Sequence, residues 1–136
     1  MNLNFLAIIL GVLAAYVFNA IWFGPKTFYP MWIKSMGREM PKREEMDMSA
    51  KAQIKLFGGT LAGQLAVGVV VALVIGLIPD CDAWTGALVG LGLGVVAAGA
   101  SLGHRLFAYH GGKTWIIEVS GDIIGIILMG LVIGAF

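Results

Sequence analysis

Between Ser101 and Asp122 the chain sets His104 and Arg105 at the end of one strongly apolar segment, and Glu118 and Asp122 near the start of the next. An imidazole, a guanidinium and two carboxylates are groups that titrate, pair as ions or relay protons. Within a membrane span an unpaired charge costs up to about 2.5–3.5 kcal/mol at the helix centre on insertion scales. These groups must therefore pair, face water or do work. Glu118 and Asp122 are four residues apart, so both carboxylates share one helix face. If the two segments pack side by side, that face meets His104 or Arg105 across the turn.

Three chemistries fit this pattern. The first is an ion pair of Arg105 with Glu118 or Asp122 that fixes helix register, aided by hydrogen bonds from Asn19 and Gln64. The second is a polar site open to the cytoplasm, such as a proton-linked vestibule or an anchoring pocket. The third is a first-row metal site on His104, Glu118 and Asp122, but it has one histidine and no repeated ligand motif. No metal and no cofactor is expected. Nucleophilic catalysis is no better supported: Ser101 and Ser120 stand near His104 and the acids, but no strained elbow sequence surrounds either serine. The glycines follow helix-packing spacing rather than that of a phosphate loop, and no enzymatic activity is expected.

The elements that must position these groups follow from composition. Of 136 residues, 59% are hydrophobic and 12% are charged, where an ordinary soluble domain is about a quarter charged. The polar surface of a water-soluble globule is missing, so the expected partner is the lipid bilayer. A net charge of +1 argues against nucleic acid, whose binding draws on clustered surplus Lys and Arg. Cys81 is the only cysteine, which excludes an intramolecular disulfide. Met31, Met36, Met40, Met46 and Met48 would suit soft Cu(I), but their spacing is irregular and thioethers also serve as interfacial hydrophobes.

The hydropathy pattern predicts an all-α polytopic membrane protein forming one domain, an antiparallel bundle of four transmembrane helices. The spans are expected at about 3–23, 56–78, 84–107 and 115–136, each near the ~20 residues that cross a hydrocarbon core. A signal peptide fits the first run poorly, because no Lys or Arg precedes it. Residues 24–55 form a polar loop, with a short interfacial element around Phe28, Tyr29, Met31 and Trp32 and a helix beginning at Ser49. The short Asp80–Ala83 and 108–114 turns predict that spans two, three and four are neighbours. All nine Lys and Arg lie in the long loop or beside the 108–114 turn. By the positive-inside rule these face the cytoplasm and both termini face out, as in a bacterial inner membrane.

Glycines recur four apart at Gly59 and Gly63, at Gly86, Gly90 and Gly94, at Gly99 and Gly103, and at Gly121 and Gly125. Such spacing lets helix backbones approach closely in lipid. Small residues lie on nearly every face of span three, so it is expected to be the central helix or an oligomer contact. Asn19 lies near the inner end of span one and Gln64 about 12 Å up span two, with Glu118 and Asp122 about 5 and 10 Å into span four. The polar side chains thus gather in one half of the membrane. The functional expectation is a non-enzymatic membrane protein that associates with itself or another membrane protein. The alternative is a small proton-coupled transporter or channel using the polar cluster.

Trp22-Phe23-Gly24-Pro25, followed by Trp32-Ile33-Lys34-Ser35-Met36-Gly37, resembles the bacterial membrane family catalogued as domain of unknown function 1761. The resemblance covers nearly the whole chain and implies four spans, an aromatic-Gly-Pro end to the first helix and a polar start to the last. In that family an acid in the last span is often followed by Gly-Tyr-His, whereas here Gly121 is followed by Asp122 and Ile123. The resemblance implies a fold and no activity.

Overall fold

A computed structural model describes residues 4–136, and the described residues are helical with no strand among them. The helices are α1 (Phe5–Trp22), α2 (Tyr29–Ser35), α3 (Ala50–Ile75), α4 (Ala83–Phe107) and α5 (Gly111–Gly134). All but the short α2 are long and apolar enough to cross a membrane. α3 contains a π-helical stretch, Ile54–Gly58. Its first half is exposed.

Side chains mark where these helices begin. Asn4 accepts a hydrogen bond from the Ala7 amide at 3.1 Å, Ser49 from Ala52 at 3.2 Å and Asp82 from Thr85 at 2.8 Å. Each satisfies an amide that the first helical turn leaves without a carbonyl. Hydrogen bonds from Thr85 hold the Asp82 carboxyl below its usual range. The charged cap is therefore fully present above the ordinary carboxylate pKa and is lost only as pH falls through the lowered value. At the other end of α2, Gly37 takes φ +71°. The Gly37 amide donates to the Lys34 carbonyl and the Arg38 amide to that of Ile33, a Schellman ending that favours glycine.

The core joins Ile8, Val12 and Ala15 of α1 with Val71, Ala72 and Ile75 of α3 and Ile126, Met129 and Ile133 of α5. The central helix is α5, not span three as the glycine distribution suggests. α5 meets α1 along Gly121 and Gly125, α4 along Ile123, Ile126, Gly130 and Gly134, and α3 through Met129. α4 turns Gly86, Gly90 and Gly94 toward α5 alone. Nor do α3 and α4 lie closely side by side: α3 packs mainly on α5 and α1 and touches α4 sparingly. A short loop fixes where a helix starts but leaves its tilt free, and α3 follows the larger apolar faces of α1 and α5.

The α4–α5 contact is backbone on backbone. A Cβ added at Gly86 would fall on the Gly130 carbonyl, one at Gly90 on that of Ile126, and one at Gly134 within 2.6 Å of the Asp82 oxygen. The partners run in opposite chain order, from Gly86 with Gly134 to Ser101 with Trp115. The same reversal holds between α1 and α5, from Gly11 with Ile133 to Trp22 with Gly121.

By contrast Gly59, Gly63, Gly92, Gly99 and Gly103 have no atom within 4 Å of an added Cβ. The difference is open to a paired test. Gly90→Ala is expected to lower stability in detergent by about 1–3 kcal/mol through overpacking. Gly92→Ala on the same helix is expected to be neutral or slightly stabilising, since alanine is the better helix former. Thermal unfolding of both variants decides, and equal behaviour would rule out the close α4–α5 approach.

Candidate functional site

The site is assembled at the end of α1. The Phe23 and Gly24 amides close on the Asn19 and Ile21 carbonyls at 2.9 and 3.0 Å, and Pro25 follows with no amide to donate, so the helix ends. The Thr27 hydroxyl lies among the carbonyls of Ile21, Trp22 and Gly24 and holds the turn closed. Trp22 stacks on Phe28 with ring centroids 4.2 Å apart, and Phe23 meets Trp32 edge-on at 5.7 Å. The Trp22 indole also donates to the Ile117 carbonyl at 3.0 Å. The aromatic-Gly-Pro turn thus folds α2 back against the first turns of α5.

That placement brings two α2 side chains onto α5. The Trp32 indole N–H donates to Glu118 Oε1 at 2.8 Å, and the Ser35 hydroxyl meets that of Thr114 at 2.8 Å. Thr114, fully buried, donates to the His110 carbonyl at 2.8 Å. From α4, Arg105 Nε lies 2.6 Å from Glu118 Oε2. Arg105 also donates to His110 Nδ1 at 3.2 Å, since a guanidinium has no lone pair to offer. Both oxygens of Glu118 are therefore engaged, each by a different helix. A second α4–α5 tie joins residues one turn before each member of the pair: Trp115 Nε1 donates to Ser101 Oγ at 3.1 Å and to the Ala98 carbonyl at 3.2 Å.

The remaining polar residues are distributed differently. Asp122 lies one turn beyond Glu118 and is exposed, with no hydrogen-bond or salt-bridge partner among the described residues; Glu118 and Arg105 are the charges that act on it. Asn19 faces Gly125, and its Oδ1 is buried with no hydrogen-bond partner among the described residues. Gln64 is half-buried and His104 exposed, and neither side chain makes a hydrogen bond within the described residues. The structure brings Arg105 and Glu118 together and leaves His104, Gln64, Asn19 and Asp122 outside that pair. No three His, Cys, Asp or Glu side chains among the described residues converge as metal ligands, so His104 does not join Glu118 and Asp122.

Sequence reasoning did not anticipate Trp32, Ser35, His110 and Thr114 at this site. Only Trp32 and Ser35 carried a signal, standing in the stretch that follows the aromatic-Gly-Pro turn. A family model described as protein of unknown function (DUF1761) matches residues 6–134. The chain belongs to this family. No curated protein and no solved structure matches it. Within this DUF1761 chain the Trp22-Phe23-Gly24-Pro25 stretch has a physical role: it delivers Trp32 to Glu118.

Removing one partner of a charged hydrogen bond typically costs about 1.5–3 kcal/mol. Glu118→Ala is expected to lose stability in that range and Glu118→Gln less, because an amide oxygen still accepts from Trp32. A cycle combining Glu118→Ala with Trp32→Phe should give a coupling above about 0.5 kcal/mol. Simple additivity in thermal melts would mean that the indole and the carboxylate do not support one another.

Proposed function

We propose that the protein is a non-enzymatic subunit of a membrane assembly, completed in the plane of the bilayer by a second copy or by another membrane protein. The observation that carries this reading is Asp122. It is the twelfth of the 24 residues of α5, exposed and without a partner among the described residues. An acid at the centre of a spanning helix costs about 2.5–3.5 kcal/mol on insertion scales. A neighbour that covers it or supplies a donor removes that cost. The open glycines Gly99 and Gly103 on α4 and Gly59 and Gly63 on α3 would let such a neighbour approach closely. Glu118 and Arg105 serve in this reading to hold register. The basic ends of the helices would lie in the cytoplasm with both termini outside, following the distribution of Lys and Arg.

A second reading is favoured by Asn19 Oδ1, buried without a partner among the described residues where Asn19 faces Gly125, one turn beyond Asp122. Unsatisfied polar groups beside an intramembrane acid suit a water-filled proton path. In this reading Asp122 carries the proton and Arg105 is the counter-ion of Glu118. His104 is a poor relay here, because it lies exposed outside the pair.

Gentle extraction from native membranes, followed by mass measurement of the complex, separates these readings. The subunit reading expects a homo-oligomer or a stoichiometric partner, and expects Asp122→Asn to shift that assembly. A bare monomer overturns it. The proton-path reading expects Asp122→Asn to abolish proton-linked flux in vesicles while the mass of the complex stays unchanged.

A further inference from the structure

We infer that the cleft between α2 and the start of α5 is a binding site for the phosphate headgroup of an anionic phospholipid. The cleft has a volume of about 600 Å³ and is lined by Pro30, Met31, Lys34, Ser35 and Lys113. Its two ammonium groups come from segments far apart in sequence. They are held on one cleft because Trp32 and Ser35 fasten α2 to Glu118 and Thr114. Serine and threonine are occupied with one another and with backbone carbonyls, which leaves the lysines as the side-chain donors for a ligand. No carboxylate among the described residues lines the cleft.

The position selects a lipid over a soluble anion. Pro30 and Met31, the latter 45% exposed, give the cleft an apolar side. The rings of Phe23, Tyr29 and Trp32 pack together next to these residues, as expected at the headgroup boundary. A phosphate between Lys34 and Lys113 would leave its acyl chains against Met31 and the lipid-facing helix surfaces. A second cleft, about 690 Å³ beside Lys51 and Lys55, includes Asp47. Hydrogen bonds from Ser49 hold the Asp47 carboxyl below its usual range, so it stays charged and opposes an anion. Of these two basic clefts, the one on α2 is lined by no acid among the described residues.

Native mass spectrometry of the whole protein, released from vesicles of mixed phosphatidylglycerol and phosphatidylcholine, tests the site. A basic side chain near an anionic surface changes binding about five-fold, so Lys34→Gln with Lys113→Gln should lower phosphatidylglycerol retention about 25-fold. The pair Lys34→Arg and Lys113→Arg should restore it, which separates charge from any effect on folding. Lys51→Gln with Lys55→Gln should leave it within two-fold, roughly the scatter of one weak surface contact. Equal retention of both lipids by the unaltered protein overturns the inference, as does a larger loss in the Lys51 and Lys55 variant. Displacement of the lipid by millimolar inorganic phosphate would assign the cleft to a free anion and overturn it equally.

Discussion

Two helices in lipid gain little from burying apolar side chains, because the tails they displace are just as apolar. Their attraction must come from close contact and from groups that lipid cannot satisfy. The α4–α5 interface meets this constraint by bringing glycine backbones together at Gly86, Gly90, Gly130 and Gly134. Once α4 lies that near, Arg105 reaches Glu118 and Trp115 reaches Ser101. The polar contacts are thus a consequence of the glycine contact. A bulkier α4 would hold the guanidinium away from its carboxylate.

Glu118 extends the same logic to a third element. One oxygen is taken by α4, the other by α2 through Trp32. α2 has seven residues, too few to be stable alone, since isolated helices shorter than about 12–15 residues are marginal in water. Its order derives from what it touches: the Trp32–Phe23 ring contact, the indole bond to Glu118 and the Ser35–Thr114 pair. The helix in turn shields the acid from lipid. Each makes the other tolerable.

Much of this was legible in the sequence, and what was not has a definite physical reason. Hydropathy and segment length placed the four long helices because the bilayer sets those quantities directly. The pairing of Arg105 with an acid followed from a tight turn and a four-residue spacing. The identity of the central helix did not follow, because glycine spacing reports how closely a neighbour is able to come and not whether one is there. Gly99 and Gly103 repeat the spacing of Gly86 and Gly90, yet open space surrounds the first pair and backbone the second. Trp32 and Ser35 were hidden for a related reason: their partners are 86 and 79 residues away. That distance is closed by the geometry of one turn and not by any local pattern.

The contrast between Glu118 and Asp122 follows from the same geometry. They carry the same functional group on the same face one turn apart, about 6 Å along the helix. α2 begins just past the end of α1, so its seven residues lie over the first turns of α5 and reach no deeper than Glu118. The first half of α3 is largely exposed, and no side chain among the described residues comes across to meet the acid. α3 returns to the bundle only near Gly68, where it contacts Val12 and Met129. The bundle is closed at one end by glycine and apolar packing and latched at the other by α2. Asp122 falls between the two closures, which is why a chain that satisfies one half-buried carboxylate with two helices leaves the next one bare among the described residues.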